Sequence, residues 1–166
     1  DITVGSAASG AQGNTSFTLT NQAENAVEAS SLTVVKNSTT ANTFALNAGK
    51  FSVGKLTNQG NVTLKAGEFT LTGEGANASG AEITLASSKE YASLVVAEGA
   101  SLQNQGSITA TDGEGKIYVG GTLTNLPKIA ATTTTAEVPA GTIKAAAVEV
   151  DGVLSTALDT TYDVAE

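Results

Sequence analysis

The sequence predicts an all-β chain, wound as a parallel β-helix (a β-solenoid) with coils of about 18–23 residues. Three observations carry that expectation. Short segments with alternating apolar and polar residues end at Gly-rich turns. A phrase recurs, in "KLTNQGNVTL" from Lys55, "SLQNQGSIT" from Ser101 and "TLTNL" from Thr122. Phe51 and Phe69 stand 18 residues apart, each preceded by Ala-Gly and one charged residue. A repeated phrase points to a repeated structural unit, and periods near 20 residues point to stacked repeats.

Composition supports the class. The chain has 166 residues, of which 40% are hydrophobic but only 4% aromatic, with 18 Gly and 2 Pro. The length fits one domain. Thr and Val are abundant, and branching at Cβ suits a pleated surface. Alternation places Phe51 with Val53, Val62 with Leu64, Phe69 with Leu71, and Ile117 with Val119 on common faces. Leu19, Leu56, Leu102 and Leu123 each open an "L-x-N" phrase and are read as equivalent. Asn58-Gln59-Gly60 and Asn104-Gln105-Gly106 are read as turns needing positive φ, with the Asn side chains laddering up the stack. The regular core is expected over residues 44–126. Residues 1–43 and 127–166 are expected as terminal coils or caps of the same single domain. An antiparallel β-sandwich completed by a donated strand is the alternative architecture.

Charge narrows the partners. There are 16 acidic residues against 8 Lys, a net charge of −8, and no Arg. Phosphate recognition needs a positive surface, so no nucleic-acid partner is expected. No apolar run approaches the length of a membrane helix, so no membrane insertion is expected. Cys and His are absent, which removes thiolate nucleophiles, His-based acid–base chemistry and ordinary zinc sites. The expectation is a non-enzyme without a cofactor.

Oxygen ligands remain. Asp112 and Glu114 in "TDGEGK", and Asp159 with Asp163, are the candidate calcium ligands, although neither stretch matches a known calcium loop. Asp112 and Glu114 are also the pair a polysaccharide-cleaving enzyme would use. The bland reading of both, and of Glu74, is a solvated turn. Four N-x-S/T sequons, at Asn14, Asn37, Asn61 and Asn77, are candidate glycosylation sites. Tyr91 and Tyr162 are candidate surface contacts.

"L-T-N-Q-G-N-V-T" and "L-Q-N-Q-G-S-I-T" resemble the degenerate repeats of right-handed β-helix surface proteins, the haemagglutinin-like and autotransporter-passenger adhesins. The resemblance covers about residues 44 to 126. With a Thr/Ser/Asn/Gly-rich, Cys-free composition and a sequence beginning at Asp1 rather than Met, the expectation is an extracellular or cell-surface chain whose signal peptide has been removed. The reading that follows is a structural subunit of a self-assembling filament, layer or matrix. Its partners would be copies of itself, joined head to tail or by strand addition through residues 1–20 and 140–166. The alternative is an adhesin module binding a host glycan or protein.

Overall fold

The computed structural model describes residues 1–6, 14–21, 24–36, 41–85, 91–110, 115–132, 134–145, 147–157 and 161–164. In chain order the first strands are β1 (Ile2–Val4), β2 (Ser16–Thr20), β3 (Val27–Val34), β4 (Thr43–Ala48), β5 (Lys50–Asn58) and β6 (Asn61–Leu64). Next come β7 (Gly67–Asn77), β8 (Glu82–Leu85), β9 (Ala92–Val96), β10 (Ser101–Asn104), β11 (Ser107–Ala110) and β12 (Gly115–Val119). The last are β13 (Thr122–Asn125), β14 (Thr142–Ala145), β15 (Ala147–Val150), β16 (Val153–Thr156) and β17 (Thr161–Val164). The described residues contain no helix.

These strands form two sheets. One runs β1-β3-β5-β7-β10-β13-β16, with β9, β12 and β15 branching from β7. The other runs β2-β4-β6-β8-β11-β14-β17. Every strand ladder among the described residues is parallel. This overturns the antiparallel sandwich. The physical reason is connectivity: the chain leaves one sheet, crosses to the other, and returns one place further along in the same direction. Among the described residues, antiparallel pairing is confined to two isolated bridges, Lys36–Ala41 and Ile129–Val138.

Parallel register puts like residues above one another. Phe51 pairs with Phe69, Phe69 with Leu94, Leu94 with Ile117, and Ile117 with Val148. In the second sheet Phe17, Phe44, Val62, Ile83, Ile108 and Ile143 form one line. The two sets meet in a single core, where Phe44 lies 5.1 Å from Phe51 and 6.3 Å from Phe69 between ring centroids. Fully burying each such side chain contributes about 1.5–3 kcal/mol, so the columns dominate stability.

The branch at β7 follows from a break in alternation. Phe51 and Val53 point inward, and the next inward residue is Leu56, three positions on. The β5–β7 register shifts at the same place. The extra residue bends the strand, so its two halves face different directions. Beyond β7 the halves become separate strands: β9 continues the first and β10 the second. "TGEGAN" around Glu74 is therefore strand, not turn, with Glu74 in register beside Lys55. Only the second half is hidden in the sequence: it is Gly-rich and lacks apolar alternation, so it reads as a turn.

Spacing is looser than the sequence suggests. Equivalent residues lie 18 apart from Phe51 to Phe69 but 31 apart from Ile117 to Val148. The expected range of 18–23 is exceeded because chain is inserted between strands, as in the segment between β13 and β14. The excursion between β13 and β14 folds on itself. Ile129 bridges Val138, and Lys128 Nζ lies 2.8 Å from Glu137. Gln105 Nε2 donates to the carbonyls of both Pro127 and Pro139, tying down the two feet.

Two glycines show different needs. Gly67 has φ +91°, and a Cβ there would strike the Gly49 carbonyl below it. Gly106 does not have positive φ; a Cβ would run into the Ala81 carbonyl and approach Asn77 Nδ2. The second case corrects the turn reading of the N-Q-G phrase: its Gly is required by lack of room.

Candidate functional site

Asn58, Asn77, Asn104 and Asn125 are the last residues of β5, β7, β10 and β13 and are in direct register. Alternation turns their side chains inward, and each is at most 1% exposed. Asn58 Nδ2 donates to Asn77 Oδ1 at 2.7 Å, Asn77 to Asn104 at 2.8 Å, and Asn104 to Asn125 at 2.7 Å. The second proton of each of the first three goes to the backbone carbonyl of Glu82, Ser107 or Thr142. Asn125 Nδ2 donates to the Gly141 carbonyl. The line is thus satisfied step by step, as buried amides must be. The column continues as Val34 before Asn58 and as Thr156 after Asn125.

The Asn residues hence sit in no positive-φ turn; no non-Gly residue among those described has positive φ. Asn77 was read from sequence as a sequon. Its buried amide already donates twice, leaving no open nitrogen for a glycan in the folded chain. Asn14 is exposed ahead of β2, and Asn61 is half-buried at the start of β6. Asn37 lies outside the described residues. So do Asp112, Glu114 and Asp159, while Asp163 is placed only as a backbone position in β17, beside Lys144. Among the described residues no group of three Asp, Glu, His or Cys is placed to hold a metal. Leu19 belongs to the second sheet, with Leu46 and Leu64, so it is not equivalent to Leu56, Leu102 and Leu123.

The stack is not covered equally along its length. Columns buried in the middle are exposed at both ends: Phe17 is 39% and Val27 38% exposed at one end, and Val150 42% at the other. Each belongs to an inward line, with Phe44, Phe51 and Val119 as buried neighbours. The outer sides of β1, β2, β15, β16 and β17 have no strand partner among the described residues. These ends are the candidate functional surfaces. Among the described residues no helix is long and apolar enough to cross a membrane.

No protein-family model, no curated protein and no solved structure matches the chain.

Proposed function

We propose that the chain is a β-solenoid and a non-enzymatic structural protein of the cell exterior, a subunit that joins copies of itself end to end. The observation that carries this reading is the exposure of Phe17, Val27 and Val150 in columns that are otherwise buried. Exposed apolar groups beside unpaired strand edges are templates for another chain. Parallel sheets have a direction, so the outer edge of β16 fits the edge of β1 in a second copy without reversing it. In that register Leu154 meets Ile2 and Thr156 meets Val4, continuing their columns. A head-to-tail contact of this kind repeats without closing and gives a filament. The Cys-free, Thr/Ser-rich composition supports an exterior location.

Sedimentation and negative-stain electron microscopy over a concentration series test the proposal. Rods that lengthen with concentration, and shorten on Phe17→Asp or Val150→Lys, are expected. Monodisperse single-copy particles at every concentration would defeat it.

A further inference from the structure

The outer edge of β3 is only half covered. β1 pairs with its second half, from Leu32 to Val34, and Asp1 stands level with Ser31, whose Oγ donates to Asp1 Oδ1 at 2.8 Å. The first half, from Val27 to Ser30, has no strand beside it on that side among the described residues. The open place therefore has room for about four residues in extended form. Its inner positions are apolar. Val27 and Ala29 begin the lines that continue in Phe51 and Val53, and Val27 is 38% exposed where Phe51 is buried.

End-to-end assembly gives this place a second wall. β15 and β16 both lie three strands beyond β7, one through β9 and β12, the other through β10 and β13. With β16 against β1 of the next copy, β15 stops one strand short of that copy's β3. The two edges then stand about 9.6 Å apart, two strand spacings, which is room for one strand. Val148 and Val150 lie on the same inward lines as Val27 and Ala29. Between these lines, on the outer side, another runs through Glu28, Ser52, Thr70, Val95, Tyr118 and Glu149. Its only charges are the carboxylates at its two ends. Both are exposed, and neither has an ion-pair partner among the described residues.

We infer that a partner polypeptide adds an extended segment reading apolar–basic–apolar to the open edge of β3, as the strand that completes the joint. Three features select it. Unpaired backbone N–H and C=O groups along the edge select a peptide, because an added strand satisfies them. The lines of Val27 and Ala29 select apolar residues at alternate positions. Glu28, joined by Glu149 in the assembled joint, selects a basic residue between them, since opposite charges on neighbouring strands attract and like charges repel. The described strands of this chain already have their places in the two sheets, so the segment is assigned to another polypeptide.

Only the second wall rests on end-to-end assembly, and the edge of β3 is tested without it. Val150→Lys, at the far end of the stack, supplies single-copy protein. The probes are fluorescein-labelled tetrapeptide amides, read by anisotropy. Val-Lys-Val-Thr is expected to bind saturably, one per chain, at least about threefold tighter than Val-Glu-Val-Thr. Val-Val-Lys-Thr keeps the charge but loses the alternation, and is expected to bind more weakly by a similar factor. Glu28→Lys, an exposed change, is expected to reverse the order of the first two. No saturation by Val-Lys-Val-Thr up to its solubility limit overturns the inference. So does equal affinity for the three peptides, or an order unchanged in Glu28→Lys. Rod formation by the parent chain is read separately: without rods the end-to-end reading falls, while binding at β3 still stands or falls on the peptides. Where rods form, Val-Lys-Val-Thr is expected to lengthen them, and shortening overturns its place in the joint.

Discussion

Asn77 Nδ2 donates to Asn104 Oδ1 at 2.8 Å, across 27 residues of chain, beside the apolar core. Each amide in the line polarises the next, so the column acts as a unit. It also pins register. A slip of one residue would turn the amides outward and point Thr57, Ala76, Gln103 and Thr124 inward.

Asn77→Ala is expected to destabilise by at least about 3 kcal/mol. It orphans one Asn58 proton, Asn104 Oδ1 and the Ser107 carbonyl, and each buried orphan costs about 1–3 kcal/mol. Urea unfolding monitored by circular dichroism checks this. A loss below about 1 kcal/mol would mean that water or repacking replaces the ladder.

Asn77→Asp makes the same site pH-sensitive. A carboxylate there accepts from Asn58 but faces Asn104 Oδ1 and the Ser107 carbonyl with no proton to give. Burial without a cation raises the folded-state pKa of the new Asp above its unfolded value of about 3.9. The penalty is then absent below that unfolded value and grows as pH rises through the folded one. Melting of the variant relative to the parent, measured from pH 3 upward, should show the gap widening with pH.

Gly67→Ala and Gly99→Ala separate strain from crowding. Both glycines have positive φ, +91° and +77°, but a Cβ at Gly99 meets nothing within 4 Å. Gly99→Ala should cost about 1 kcal/mol, the left-handed penalty alone. Gly67→Ala should cost more than about 3 kcal/mol, because the Gly49 backbone must also move. Equal losses in the two variants would refute the stacking of these corners.

Phe44→Ala should cost about 3–5 kcal/mol, since the ring is fully buried against Phe51 and Phe69. Phe17→Ala, at the exposed end of the same line and stacked on Phe44 at 5.7 Å, should cost well under half as much. In single-copy protein the two losses rank the middle of the stack against its end.

The proposed end-to-end assembly should respond to salt. The chain carries −8 overall, with Asp1 and Glu28 near one end and Glu149 and Asp151 near the other. Bringing these ends together opposes like charges. Raising ionic strength from about 0.01 M to about 0.15 M shortens the screening length from about 30 Å to about 8 Å, so rods should lengthen over that range. Shortening by added salt would point to attractive ion pairs at the junction instead.

The all-β class and the parallel stacking of Phe51 on Phe69 were legible because two-residue alternation and a repeated phrase are local properties of the chain. The Asn ladder was legible at Asn58 and Asn104, where the phrase is intact. Asn77 was concealed: Gly75 stands in the column where Leu56 and Leu102 stand, so "GAN" does not read as "LTN". Asn77 then matched a sequon instead. Tyr91 was legible as a surface position and is 66% exposed. The open place on β3 was not legible, because Glu28 and Glu149 stand near opposite ends of the chain and fall on one line only through register.

By itself the sequence determined which side chains alternate inward, because that depends on the geometry of one strand. Which of them meet was decided by the tertiary structure. Insertions between strands change the number of residues separating paired positions while leaving the parallel ladders untouched, so distance along the chain does not specify the partner. Only the packed core and the hydrogen-bonded amides fix one register against the others.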